Sequence, residues 1–360
     1  MNDSQNLIEA GATMSPDGRA RPGIVRSIAH WLASDGGALP DEGRLAPFDG
    51  ATAWLNSEPL TPEALRGRVV LVDFWTYTCV NWIRTLPYVR AWAAKYAEAG
   101  LTVVGVHTPE FGFEADLDNV IAQSRNLGVE YPVAVDSDYR VWGAFANHFW
   151  PAVYLADAAG RIRHHHFGEG EYPQTEMVIQ RLLLEAGAQD LDQDLVEVEP
   201  RGLEVGADWH ALRSPETYLG YGQSSGFASE RVAAFDRPHE YDGQRPLPLN
   251  SWDLSGNWTV ARHAAGSNAA GARVVFRFHA RDVNLVMGPR VAGAAIPFRV
   301  TLDGDPVGDA PGSDVDVDGR GVVRDQNTYQ LIRQPGRITE RVFEIEFLEA
   351  GVEAYCFTFG

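Results

Sequence analysis

Cysteine is almost missing from this chain of 360 residues: only Cys79 and Cys356 occur, too few for the disulfide framework on which small secreted domains depend. Basic residues are also scarce, with 30 Lys and Arg against 49 Asp and Glu and a net charge of −19. Such a surface repels nucleic-acid phosphates and anionic membranes at long range, so neither is expected as a partner. Long apolar runs are absent too. The longest are strand-sized, and Met1 to His30 holds no uninterrupted apolar stretch, so neither a transmembrane helix nor a signal peptide is expected, and a cytoplasmic location is. The most telling absence is local. Three residues after Cys79, where a dithiol site carries its second cysteine, stands Trp82. No Cys-x-x-Cys disulfide can close here.

What is present points to two cores, since 360 residues exceed what one core usually organises. Residues 1–45 read as an N-terminal extension, mobile over its first half, with helical spacing in Ile24, Ile28, Trp31 and Leu32. Residues 46–190 alternate strand and helix: Val69–Phe74, a helix after Cys79 with Pro87 as a kink, Leu101–His107, a helix from Glu114 to Leu127, Tyr131–Val135, a helical stretch at Tyr139–Ala146, then Val153–Ala156 and Ile162–Phe167, and a closing helix Thr175–Ala186. Residues 191–214 are acidic and turn-rich, a linker or covering arm. From 215 to 360 the pattern turns to period two without a convincing helix, as in an all-β sandwich of jelly-roll type.

The segment Leu71-Val72-Asp73-Phe74-Trp75-Thr76-Tyr77-Thr78-Cys79-Val80-Asn81-Trp82 reads as a buried strand, a turn, and a cysteine at a helix start. Unpaired backbone N–H groups and the positive end of the helix dipole favour thiolate there, which makes Cys79 the candidate nucleophile. The plainer alternative is a small, inert core residue.

These residues closely resemble the thioredoxin superfamily, and Asn81-Trp82-Ile83-Arg84-Thr85-Leu86-Pro87 is similar to its redoxin (AhpC/TSA/TlpA-like) branch. The resemblance runs on through Val106-His107-Thr108-Pro109-Glu110-Phe111, Tyr131 to Asp136, and Trp150-Pro151-Ala152-Val153-Tyr154. Further on, Ser214 to Gly220, His279 to Val283 and the closing Phe357-Thr358-Phe359-Gly360 resemble the C-terminal portion of DipZ-type proteins. There a thioredoxin-like domain precedes a β-domain similar to carbohydrate-binding modules. The resemblance implies that Cys79 is the attacking thiol, that Pro151 is a cis-proline whose loop faces it, and that Asp73 is the buried carboxylate of the family. With Trp82 in place of the second cysteine, Asp73 loses its usual partner; a proton relay through water and a structural acceptor both stay open. Thr76, three residues before the thiol, resembles the peroxide-aligning threonine of peroxiredoxins, although the expected upstream proline is Val72 here. A sulfenic acid on Cys79 would need an external thiol for recycling.

Trp75, Trp82 and Trp150 are read either as an aromatic rim around Cys79 or as core. His107 and Glu110 follow a parallel strand's carboxyl end, the rim where such sheets bind ligands, or are solvated loop residues. His164 and His166 share a strand face, but further metal ligands are not evident, so no metal and no cofactor are expected. Trp252, Trp258 and Tyr329 are candidates for stacking on sugar rings, against the alternative of core. Cys356 reads as structural, with Tyr355, Phe357 and Phe359 sharing the opposite face of its strand. The leading expectation is a monothiol oxidoreductase, antioxidant in role, whose partner is a low-molecular-weight thiol or a protein disulfide. The alternatives are a scaffold with a degenerate thioredoxin-like site and a glycan- or peptide-binding β-domain, and a thiol peroxidase.

Overall fold

The computed structural model describes residues 39–360; the expected tail over residues 1–23 and helix over Ile24–Ala33 lie outside the described residues. The chain divides into two compact units between Glu204 and Val205, inside the acidic, turn-rich stretch.

In the first unit the sequence alternation becomes a layered sheet. The elements are β1 (Ala53–Leu55), β2 (Val69–Trp75), α1 (Val80–Tyr96), β3 (Leu101–His107), α2 (Leu117–Asn126), β4 (Val133–Val135), α3 (Arg140–Ala144), β5 (Ala152–Ala156), β6 (Ile162–Phe167) and α4 (Tyr172–Glu185). Their order in the sheet is β1-β4-β3-β2-β5-β6. Strands β2, β3 and β4 run parallel, and β5 and β6 antiparallel. All seven residues of β2 are buried, as an inner strand covered on both faces requires. Val69, Leu71 and Trp75 join the core beneath α1 and α4, whereas Val70, Val72 and Phe74 join the core on the other face. The β2–β3 register sets Asp73 beside Gly105 and Trp75 beside His107. The expected helix from Glu114 starts instead as a 3-10 turn at Gly112–Ala115. Asp116 then caps α2, accepting from the N–H groups of Asp118 and Asn119.

After α4, the chain continues against this unit. Ala188, Leu191, Val196 and Leu203 pack on the α1/α4 core, the buried Glu176 carboxylate accepts the Val196 N–H at 3.0 Å, and Gln180 Nε2 donates to the Gln193 carbonyl at 3.2 Å.

The second unit has no α-helix among its residues. Its strands are β7 (Thr217–Tyr218), β8 (His239–Asp242), β9 (Ser251–Val260), β10 (Ala265–Ser267), β11 (Ala272–Phe278), β12 (Asp282–Pro289), β13 (Ile296–Leu302), β14 (Asp305–Pro306), β15 (Arg320–Val323), β16 (Asn327–Arg333), β17 (Arg341–Phe347) and β18 (Val352–Phe359). They form a curled antiparallel array in the order β14-β13-β17-β11-β9-β10-β18-β12-β16, with β15, β7 and β8 pairing at its sides. Phe276 of β11 and Phe343 of β17 meet Phe357 of β18 across the core, with ring centroids 5.1 and 5.7 Å apart.

The expected pairing of faces on β18 needs correction. A register shift between Val286 and Met287 of β12 places Cys356 opposite Val286 and Ala354 opposite Met287, the local kink of a bulge. Ala354, Phe357 and Phe359 therefore enter the core, while the Tyr355 hydroxyl donates to Glu353 at 2.8 Å. Cys356 is buried.

Phe276 is fully buried and touches the rings of Phe357 and Phe359, each 5.1 Å away. Phe276→Ala is expected to destabilise the second unit by about 3–5 kcal/mol, read from urea unfolding of the full chain; a loss below about 1 kcal/mol would contradict this packing.

Candidate active site

Cys79 stands where β2 has ended and α1 begins. Its extended backbone (φ −70°, ψ 107°) makes it the N-cap of α1. Its N–H donates to the Thr76 carbonyl at 3.2 Å, and its carbonyl accepts the Ile83 N–H at 3.0 Å. Cys79 is partly exposed, and its thiol donates to the Trp150 carbonyl, 3.8 Å away. The Trp150–Pro151 peptide is cis. Trp150 is itself fixed, because its indole N–H donates to the Thr108 carbonyl at 3.1 Å and its ring packs on Trp142 at 4.3 Å. The fold thus brings Cys79, Trp150 and Pro151 together from segments 71 residues apart.

One helical turn below the thiol, Trp82 fills the second-cysteine position. Its indole Nε1–H donates to Asp73 Oδ2 at 2.9 Å, and the Tyr131 hydroxyl reaches the same oxygen at 3.4 Å. Burial raises the Asp73 carboxyl to about 7, and the hydrogen bonds from Trp82 and Tyr131 oppose that rise. The carboxylate has therefore not been left idle by the loss of the second thiol. An indole N–H has taken up the acceptor.

Other expected site residues lie elsewhere than at a rim. Trp75 and Trp82 are fully buried and stacked, with centroids 4.2 Å apart, so of the three tryptophans only Trp150 retains partial exposure. His107 is also fully buried, its ring edge-on to Trp75 at 4.7 Å and stacked on Tyr77 at 5.7 Å. The β2–β3 register turns it inward beside Trp75, and burial holds it down to about 3, so it is neutral. Thr76 is fully buried. Glu110 is partly exposed and contributes a backbone N–H to Glu114 at 2.7 Å.

Glu114 was not legible as a site residue. Its buried carboxylate accepts the Thr78 N–H at 3.2 Å, the Thr78 hydroxyl at 2.6 Å and the Phe111 N–H at 2.8 Å, and so clamps the turn carrying Cys79 to the 110–114 loop. Burial raises its pKa, against these hydrogen bonds. A second clamp is the buried ion pair of Arg84 on α1 with Glu169 at 2.9 Å. Next to Glu169, the Gly168 N–H donates to the Pro151 carbonyl at 2.9 Å, which anchors the loop facing the thiol. Nothing in the spacing of Glu114 or Glu169 separates them from solvated loop acids.

One expectation for the second unit fails on burial. Trp252 and Trp258 are fully buried, their indole N–H groups satisfied at 2.9 Å by the Ser225 and Ser255 carbonyls, and the Tyr329 hydroxyl is engaged by its own loop at Asp325. None can stack on a sugar. His164 is depressed to about 4, chiefly by burial, with the neighbouring His166 adding to the effect. No group of three metal-ligating side chains converges among the described residues, and no helix there is long and apolar enough to cross a membrane.

Residues 214–360 match the family model described as the thioredoxin like C-terminal domain. Protein DipZ of Mycobacterium tuberculosis (strain CDC 1551 / Oshkosh) is 38% identical over 282 residues, which are 74% of this chain and 38% of DipZ. The thiol-disulfide oxidoreductase YkuV of Bacillus subtilis (strain 168) is 30% identical over 136 residues, which are 38% of this chain and 91% of YkuV. The chain belongs to the thioredoxin-like family. A solution structure of a thioredoxin-like protein in the oxidised form is 31% identical, with 40% of this chain and 96% of that one covered at a TM-score of 0.37. This thioredoxin-like chain spans 38% of the length of DipZ.

In this thioredoxin-like site the Asp73 carboxyl rises from 3.8 to about 7 on folding. The stability its neutral form contributes is complete below about pH 3.8 and is lost as pH climbs through about 7, by up to about 4 kcal/mol. His107, depressed from 6.5 to about 3, acts in the opposite sense, losing stability as pH falls. Comparing the protein with its Asp73→Asn variant isolates the carboxyl. Urea unfolding at pH 4 and pH 8 should show the variant gaining on the parent by several kcal/mol at the higher pH; equal differences at both would contradict the buried carboxyl.

Proposed function

We propose that this protein is a thiol–disulfide oxidoreductase working with a single cysteine. The observation that carries the reading is the Cys79 thiol: partly exposed at the N-cap of α1 and 3.8 Å from the Trp150 carbonyl, with Trp82 hydrogen-bonded to Asp73 where a second thiol would lie. YkuV, 91% of which is covered by the match, is named a thiol-disulfide oxidoreductase, and this supports the same class of chemistry here.

In the first step the Cys79 thiol yields its proton to solvent and the thiolate attacks one sulfur of a substrate disulfide. A Cys79–substrate disulfide forms, the original S–S bond breaks, and the other sulfur leaves as a thiolate that solvent protonates. An external thiol, low-molecular-weight or on a partner protein, then attacks the mixed disulfide. It releases the reduced substrate half or regenerates Cys79, according to which sulfur it strikes. The reductant is that thiol, which ends as a disulfide. The backbone N–H groups opening α1 and the helix dipole favour the thiolate throughout. With Cys79 as the single thiol of the site, this scheme differs from that of dithiol enzymes only in its second step, where resolution is intermolecular.

A cytoplasmic location and an antioxidant role belong to this proposal, supported by a cysteine count of two, too low for a disulfide framework. A jelly-roll arrangement of the second unit belongs to the proposal too, supported by an antiparallel, curled array. The peroxidase alternative has against it the full burial of Thr76.

Cys79→Ser should abolish thiol-dependent reduction of a small aromatic disulfide, a loss of at least 100-fold, while Cys356→Ser keeps the parent rate. Full activity in the Cys79→Ser protein would end the proposal.

A further inference from the structure

Glu114 is fully buried, and the four donors it meets are all on uncharged groups. Oε1 accepts the Thr78 N–H at 3.2 Å and the Thr78 hydroxyl at 2.6 Å, while Oε2 accepts the Glu110 N–H at 2.7 Å and the Phe111 N–H at 2.8 Å. An ionised carboxyl offers about four acceptor sites, and a protonated one turns one of them into a donor. Every site here already faces a donor. Three of the donors are backbone N–H groups, which cannot turn round to accept. The fourth, at 2.6 Å, has the length of a hydroxyl bonded to an ionised oxygen rather than to a neutral one. Burial by itself opposes the charge, and hydrogen bonds of this number and kind are what a buried carboxylate needs to keep it.

This carboxyl grips Thr78, the residue immediately before Cys79. Its loop also reaches the other side of the sulfur, because the Thr108 carbonyl holds the Trp150 indole and the Trp150 carbonyl accepts the Cys79 S–H. Two features therefore favour a sulfur that keeps its proton: a carbonyl placed to accept S–H, and an anion one residue away. The backbone N–H groups opening α1 pull the other way. The titratable groups around the pair do not cancel the anion. Glu110, Asp136 and Tyr139 are acids, and Tyr139, raised chiefly by burial, is raised further by Glu114, Glu110 and Asp136. His107 on β3 is held neutral behind Tyr77, Arg84 of α1 is paired with Glu169, and Asp73 of β2 lies behind Trp82.

We propose that Glu114 stands as a carboxylate that tunes the reacting thiol, its charge holding the proton on Cys79 against the pull of the α1 N-terminus. This deepens the single-cysteine reading, on which its consequence rests. A sulfur that yields its proton reluctantly is also slow to leave a disulfide. Glu114 thus prolongs the Cys79–substrate disulfide, which no second thiol of the site can resolve.

Alkylation of Cys79 by iodoacetamide in the full chain, followed across pH and read by peptide mass, tests this. Glu114→Gln keeps the length of the side chain and removes its charge, and should move the rise in rate to lower pH by at least about threefold in proton concentration. A folded Glu114→Gln protein whose profile stays in place, or moves to higher pH, overturns the proposal. Should that variant fail to fold, the parent protein carries the test, because coupling between two sites is reciprocal. With Cys79 carboxymethylated by iodoacetate, Glu114 should bind its proton more tightly than with Cys79 carbamidomethylated by iodoacetamide, read from the carboxyl carbon shift of Glu114. Equal Glu114 titrations in the two adducts, or a Glu114 already protonated at pH 7 in the untreated protein, would also overturn it. Neither readout uses a disulfide substrate, so absent disulfide exchange with both results intact faults the oxidoreductase reading and not Glu114.

Discussion

The hydrogen bond from the Trp82 indole to the buried Asp73 carboxyl, 2.9 Å long, is the contact on which the active-site region turns. It joins the first turn of α1 to the central strand β2, and so fixes the helix whose N-cap is Cys79 relative to the sheet. The same indole occupies the position that a second thiol takes in a dithiol site. A side chain as large as indole, fully buried and stacked on Trp75, excludes a second sulfur from the position a dithiol needs. Removing the donor alone would leave a buried carboxyl short of a partner, which is costlier than never having made the bond.

Around that contact, three separate constraints hold the thiol in its setting. Glu114 gathers Thr78 and the 110–111 backbone, which positions the turn before Cys79. The Arg84–Glu169 pair and the Gly168–Pro151 hydrogen bond position the loop after Trp150. The Trp150 indole, bound to the Thr108 carbonyl, ties that loop to the end of β3. Each is buried or nearly so, whereas Cys79 keeps partial exposure, so rigidity falls on the frame around it.

The strands and helices that place Cys79 were legible because their patterns are strong: Leu101–His107 is a continuous apolar run, and Trp82, Leu86, Val89, Trp92 and Tyr96 recur at helical spacing. The motif around Cys79 also identified Pro151 across the sheet. What stayed hidden depends on which way a side chain faces. Trp75 and Trp82 read equally well as rim or core, and His107 as rim or solvated loop; the β2–β3 register turns Trp75 and His107 inward, and Trp82 stacks on Trp75 from α1. Glu114 and Glu169 look like ordinary loop acids until burial and their partners are seen. On β18 strict alternation put Tyr355 on one face with Phe357 and Phe359, and a bulge opposite β12 separates it from them. Trp252 and Trp258 carried no sign in sequence of whether they were platform or core; the structure buries them.

The central claim is that one sulfur reacts and no second sulfur resolves it within the chain. The most direct measurement is the intact mass of the native protein after exposure to oxidised glutathione, with the adduct mapped by peptide fragmentation. The account predicts one glutathione per chain, on Cys79, persistent until a thiol is added and absent from Cys356. A native protein that takes up no glutathione at Cys79, although the unfolded chain does, would contradict it.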